Sequence, residues 1–228
     1  MLQPLKQAVA ELGYINAAFY LAGRLLQRVS AGRACIIRYQ FFAQPVPEQP
    51  ATSRPSAKSQ IRMVAPDDPV VSRFPRPPAV IARRFADGAT CFVAENDGRF
   101  AGFLWLARDA YEEDEVRCRY ELSPPERCAW DYDVYVETEF RIGRTFSRLW
   151  EAANIHLAAC GVRWSLSRIS AFNPGSLAAH RRLGIRYLST ATFIVLGPVQ
   201  ISVLGAPPFL HVGMTRRPRL VLVAPVSR

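Results

Sequence analysis

Apolar residues recur at three- and four-residue steps along the first part of the chain: Leu2, Leu5, Val9, Leu12, Ile15, Phe19, Ala22, Leu26 and Val29. That is the period of an amphipathic helix. Ala34 to Phe42 (ACIIRYQFF) reads as a strand, and Gln44 to Ser59, rich in Pro, Ser, Gln and Ala without periodicity, reads as a linker. A main domain then opens at Gln60 with the short strand IRMVA, followed by a helical region that Pro75, Pro77 and Pro78 interrupt and AVIARRFADG resumes. CFVAE, a turn at Asn96-Asp97-Gly98 and FAGFLWLA spell a β-hairpin.

After the acidic run DAYEEDE (Asp109 to Glu115), Trp130 to Val136 alternates as a half-buried strand does. The next helix starts near Thr145, with Phe146, Leu149, Ala153, Leu157 and Ala158 on one face and Gly161 at its C-terminal end. Ser165 to Ala171 is strand-like, and Asn173-Pro174 caps and enters a helix running to Leu183. Two last strands, Ala191 to Leu196 and Arg219 to Ala224, flank an apolar loop containing Pro207-Pro208. The division predicted is an N-terminal amphipathic helix and strand (1–43), a Pro/Ser-rich linker (44–59) and one α/β domain (60–228).

Composition adds limits rather than detail. The 228 residues are 50% hydrophobic and 21% charged, enough for a buried core without staples. The five cysteines include no CxxC pair and no ligand-spaced His, which argues against a zinc module or a secreted disulfide framework and fits a reducing cytoplasm. No apolar run near the N-terminus reaches the ~20 residues of a membrane span, and the start lacks the basic region of a signal peptide. The formal charge of +10 sits at the two ends, with a mildly acidic middle. This is not the one-face basic stripe of a nucleic-acid binder. The N-terminal helix suits docking on its own core or on a second subunit as a homodimer. Peripheral attachment to an anionic membrane through Arg24, Arg28, Arg33 and Arg38 is the alternative.

Chemistry concentrates between 130 and 185. A strand ending at Val136, a short loop with Arg141, Ile142, Gly143 and Arg144, and a helix from Thr145 read as an anion site, because amides at a helix N-terminus point outward unpaired and the dipole adds positive charge, or else as an ordinary βα turn with solvated arginines. Some thirty residues on comes Asn173-x-x-Ser176-x-x-x-His180-x-x-x-Gly184-Ile185. With these two motifs the chain resembles the GNAT superfamily of N-acetyltransferases, closely over about 90–225 and loosely over 60–90. The resemblance implies a GNAT-like mixed α/β fold, a central sheet of about six or seven strands flanked by helices, preceded by the N-terminal helical extension.

It implies further that Val134, Tyr135 and Val136 hold the pantetheine arm of acetyl-CoA or another acyl-CoA co-substrate, with no metal. Arg141 matches the first residue of the phosphate loop, and Arg144 and Phe146 replace that loop's two glycines. Asn173 and Ser176 touch the pantetheine or cap the helix. His180 stands where many members carry a Tyr that protonates the departing thiolate, or else packs and orients its helix. Asp131 and Asp133, expected on one strand face with Tyr135, are candidates for base or amine anchor, or else solvated strand residues. The acceptor is a small-molecule or peptide amine, which the acidic run could attract. An acyl carrier protein is the alternative donor, since the basic charge would speed docking of an acidic carrier. A catalytically silent acyl-CoA-binding module is the alternative function. Direct attack of the amine on the thioester requires no nucleophilic side chain.

Overall fold

A computed structural model describes residues 2–50 and 58–226, and the side chains from residue 6 onward. Expectations that fall on the side chains of Leu2 and Leu5 and on residues 51–57 of the linker therefore lie outside the described side chains and residues. In chain order the elements are α1 (Leu2–Val29), β1 (Ala34–Pro45), β2 (Ser59–Val64), α2 (Pro78–Ala86), β3 (Thr90–Asn96), β4 (Arg99–Ala107), β5 (Ala110–Glu112), β6 (Arg119–Ser123), β7 (Cys128–Val136), α3 (Thr145–Ala159), β8 (Trp164–Ser170), α4 (Pro174–Arg181), β9 (Arg186–Leu196), β10 (Val199–Val203), β11 (Leu210–Gly213) and β12 (Arg219–Val223). The mixed α/β class is the one predicted. The segment between β9 and β12, expected to be an apolar loop, instead supplies the hairpin β10–β11.

The chain forms two compact units that do not follow the sequence segments. One comprises residues 45–109 and 124–165. Its strands lie in the order β7-β4-β3-β2, each pair antiparallel. Asp97 and Gly98 turn β3 into β4, both with positive φ (48° and 73°), the two-residue geometry the Asp-Gly pair favours. Alternation along β4 divides the core. Phe103 and Trp105 join Phe74, Ile81, Val93 and Phe100 on the face that carries α2. Leu104 and Leu106 lie on the opposite face. Helix α3 packs against β3 and β4 and buries Leu149, Trp150, Ala153 and Leu157.

The second unit comprises residues 1–44, 110–123 and 166–228. Its larger sheet runs β11-β10-β9-β1-β8, so the strand 34–45, read as part of an extension, is an interior strand between β9 and β8. Its smaller sheet runs β12-β6-β5, with β12 and β6 parallel. Tyr39, Phe41, Ala191 and Phe193 fill one face of the larger sheet, and Phe41 meets Tyr120 of β6 edge-on at 5.1 Å. Helix α1 packs on the other face: a Cβ at Gly23 would lie 3.3 Å from Ile36 Cβ, and Arg38 Nε donates to Asn16 Oδ1 at 3.0 Å. The helix is broken at Gly13 (φ 75°, ψ 164°), a backbone conformation that glycine alone adopts easily.

Candidate active site

The site is built on β7. Facing residues in an antiparallel pair share a side of the sheet, so the partners of β7 on β4 report where its side chains point. Leu106 faces Asp131, Trp105 faces Tyr132, Phe103 faces Tyr135 and Gly102 faces Val136. Between Tyr132 and Tyr135 the register shifts: Asp133 and Val134 together span the interval that Leu104 alone spans on β4. This is a β-bulge. The bulge places Tyr132 and Tyr135 on the same face, with Phe103 and Trp105, although they are three residues apart. Asp133 takes the left-handed conformation (φ 49°) that lets it form.

The bulge corrects the expectation that Asp131, Asp133 and Tyr135 share a face. Asp131 lies opposite to Tyr135, is only 3% exposed, and accepts a hydrogen bond from Ser165 Oγ at 2.7 Å. Asp133 belongs to two arginines that no motif had pointed to. Arg76 binds it through both Nε (2.9 Å) and Nη2, and Arg84 Nη1 reaches it at 2.5 Å. Arg84 lies over the rings of Trp105 and Tyr132, and Arg76 over those of Phe103 and Tyr135. Asp133 thus compensates the charge of a nearly buried guanidinium, a structural task that occupies its lone pairs.

Two further residues escaped the sequence reading. Gly102, inside a strand pattern, is required by close approach: a Cβ there would stand 2.3 Å from Tyr135 O. A glycine within an apolar strand was the available signal. Glu137, the first residue past β7, accepts a hydrogen bond from the Tyr135 hydroxyl at 3.0 Å. Burial, and then that bond and the carboxylate's charge, push the Tyr135 pKa up, so its phenol keeps its proton through neutral pH.

Beyond β7 the chain makes a short 3-10 turn (Thr138–Phe140) and enters α3 through Arg144, with no side chain capping the helix. The first-turn amides of α3 therefore receive no capping bond from the N-cap side chain. Arg141 Nε donates back to Val136 O at 3.0 Å and ties the loop to the strand end. Ile142 is fully exposed, and Thr145 is buried in the first turn. Gly143 has no positive φ, and a Cβ there would meet only Phe140 O at 3.5 Å, so the loop does not depend on a glycine. A cavity of about 610 Å³ opens beside this turn, lined by Arg99, Phe140, Gly143, Arg144, Thr145 and Arg148. Arg99 is paired with Glu139 at 3.1 Å, and Arg148 Nη1 donates to Ser59 O at 3.1 Å. The rim carries the guanidinium groups of Arg99, Arg144 and Arg148 and the carboxylate of Glu139, beside a helix N-terminus, the kind of place where an anion of phosphate size can be held.

The second motif is arranged differently, within α4. Asn173 Oδ1 accepts from the Ser176 amide at 3.0 Å, and Pro174 occupies the first helical position. His180 Nδ1 lies 2.9 Å from Ser176 O and 3.5 Å from Ser176 Oγ. The carbonyl contact assigns the proton to Nδ1. Burial pushes the His180 pKa down despite that bond, so the ring is neutral at pH 7. A neutral buried imidazole tied to its own helix suits the packing role rather than that of a proton donor to sulfur. Within the acidic run Glu113 is buried against Arg168, which also contacts Glu115 at 3.5 Å and lies over the Tyr39 ring, while Asp109, Glu112, Asp114 and Glu115 are exposed.

No family model and no curated protein matches the chain. Solved structures do. A functionally unknown conserved protein from Staphylococcus epidermidis is 14% identical with a TM-score of 0.52, over 76% of this chain and 67% of that one. A tandem GNAT protein from the clavulanic acid biosynthesis pathway is 16% identical with a TM-score of 0.50, over 78% and 57%. A putative acetyltransferase of the GNAT family from Novosphingobium aromaticivorans is 18% identical with a TM-score of 0.48, over 69% and 62%. The chain thus spans about three-fifths of the length of the latter two. It has the GNAT fold. Among the described residues no helix is long and apolar enough to cross a membrane.

Proposed function

We propose that the chain is a GNAT-type N-acyltransferase that moves an acyl group from acyl-CoA, acetyl-CoA in the simplest case, to a primary amine. The observation that carries this reading is the succession, within one unit, of a bulged strand, an uncapped helix N-terminus and a cationic cavity rim. Arg144, Arg148 and the first amides of α3 suit the pyrophosphate of the donor, and the backbone of Val134 to Val136 suits its pantetheine arm.

The donor supplies an acyl carbon already activated as a thioester. The protein has three tasks: to take a proton from the amine, to hold the oxyanion and to give a proton to sulfur. Glu137 is the carboxylate placed for the first. An alkylamine of pKa near ~10.4 must lose a proton at a cost of about 4–5 kcal/mol at pH 7. A backbone N–H at the bulge suits the second. The Tyr135 phenol, protonated and bonded to Glu137, suits the third. As the C–N bond forms and the C–S bond breaks, Tyr135 protonates the sulfur and regains a proton from Glu137, which restores both groups. Asn173, Ser176 and His180 hold α4 in shape.

The test is release of free thiol from acetyl-CoA with a panel of primary amines. Turnover that Tyr135→Phe lowers by about 10²–10⁴ supports the assignment. Donor binding without turnover, for every amine and acyl length, would establish the silent binding module instead.

A further inference from the structure

Between β2 and α2 the prolines set the path of the chain. Pro69 opens a short 3-10 turn (Pro69–Arg73), and Phe74 and Pro77, each standing before a proline, are extended (ψ 132° and 134°), so turn and helix do not merge. Ile81 and Phe85, four residues apart, share one face of α2. A hollow of about 610 Å³ results, lined from the turn by Val71 and Phe74 and from α2 by Ile81, Ala82 and Phe85. Small-molecule sites have this size, about 300–1,000 Å³.

Arg76 completes the lining. A guanidinium has five N–H donors. Arg76 uses Nε (2.9 Å) and one N–H of Nη2 on Asp133, and one N–H of Nη1 on the Pro75 carbonyl at 2.7 Å. One N–H on each Nη nitrogen has no acceptor among the described residues. With the side edge of the fork on Asp133, these two lie on its end edge, a geometry that takes a carboxylate through two parallel bonds. Asp133 also serves Arg84, so its charge is divided between two guanidinium groups. Of the acids at the margin, Asp68 is bonded to Arg62 and the Val70 amide, and Asp67 is exposed. The Arg76 guanidinium lies 5.6 Å from the centre of the Tyr135 ring, so a carboxylate held there sits next to the residue proposed to protonate sulfur.

We propose that this hollow receives the acceptor, and that the acceptor is an apolar α-amino acid. Its carboxylate binds the free edge of Arg76, its side chain lies among Phe74, Ile81 and Phe85, and its amine is directed at Glu137 and Tyr135. The inference rests on the acyl-transfer reading and adds the class of acceptor. An α-amine is two bonds from its carboxyl carbon, so anchoring the carboxylate restricts the nitrogen, the positioning on which attack depends. The amine passes a proton to Glu137 as its C–N bond to the acyl carbon forms. The C–S bond breaks and sulfur takes the Tyr135 proton, giving an N-acyl amino acid and free CoA.

The test compares four probes with the full chain and acetyl-CoA: L-phenylalanine; phenethylamine, which lacks the carboxylate; glycine, which lacks the side chain; and 1,5-diaminopentane, which is cationic at both ends. L-Phenylalanine should exceed each of the others at least tenfold in kcat/KM. Arg76→Lys keeps a cation beside Asp133 but loses the fork, so it should raise KM for L-phenylalanine at least tenfold, with phenethylamine turnover and melting temperature little changed. Ala82→Trp, at an exposed position of the lining, should slow L-phenylalanine and phenethylamine alike and spare glycine. Calorimetric binding of N-acetyl-L-phenylalanine needs no donor and separates two failures. Binding that Arg76→Lys weakens, with no turnover of any amine, supports the carboxylate site and overturns the transferase reading. Turnover in which phenethylamine or 1,5-diaminopentane matches L-phenylalanine overturns this inference and leaves that reading standing. Neither binding of N-acetyl-L-phenylalanine nor turnover of any probe overturns both.

Discussion

The turn at 141–145 and the α4 segment at 173–180 carry the two halves of one sequence resemblance, yet their chemistry is opposite. In α4 Asn173 Oδ1 accepts from the Ser176 amide and His180 Nδ1 bonds the Ser176 carbonyl, so the motif residues bond one another. At the start of α3 no side chain caps the helix, and arginines stand on the rim of an open cavity. Motif residues that satisfy each other build structure; polar groups left open toward solvent are where a ligand gains energy. Under the proposed function, the anion-binding role falls on the first segment and the second serves as its scaffold.

That contrast can be broken most forcefully at the strand supporting the open segment. Gly102→Ala drives a Cβ into Tyr135 O and should cost about 2–3 kcal/mol, with loss of donor binding. Gly143→Ala, inside the loop, should change neither, because its Cβ meets only Phe140 O at 3.5 Å. Chemical denaturation of both variants decides; equal stability would mean that the close approach at the bulge is not real. Asp133→Asn comes next. It leaves Arg84, 9% exposed at its side chain, without its carboxylate, for an expected loss of about 2–4 kcal/mol. Were Asp133 the general base instead, the variant would lose turnover with its melting temperature intact.

Much of this was legible in the sequence, and the parts that were not share a cause. Local periodicity located α2, the β3–β4 hairpin, β7, α3 and α4, since each is set by neighbours a few residues apart. The interior place of β1 and the hairpin β10–β11 were not, because both depend on pairing with distant strands. The bulge was equally hidden. Trp130 to Val136 alternates cleanly on paper, and only its register against β4 reveals that Asp131 and Tyr135 part company. Arg76 and Arg84 stood in a stretch read for its prolines and helix pattern, so nothing linked them to Asp133, some fifty residues on.

The scaffold role of α4 predicts a pH effect of smaller size. His180 is held below its ordinary pKa of about 6.5 by burial, so the unfolded chain binds the extra proton more readily. Its share of stability is full above that pH and drains as pH falls toward the depressed native value. His156, also lowered by burial, adds to the same trend. His180→Gln should flatten the fall in melting temperature between about pH 6.5 and 5 while leaving turnover at neutral pH within a few-fold. A hundredfold loss of turnover at unchanged stability would return His180 to the chemistry.

Calorimetric titration of CoA into the chain and into two variants tests the contrast between the segments most directly. Saturable binding that weakens with salt, falls about tenfold or more in the Arg144→Gln/Arg148→Gln double variant and survives Asn173→Ala is the predicted result. Binding that the double variant leaves untouched and Asn173→Ala abolishes would contradict it.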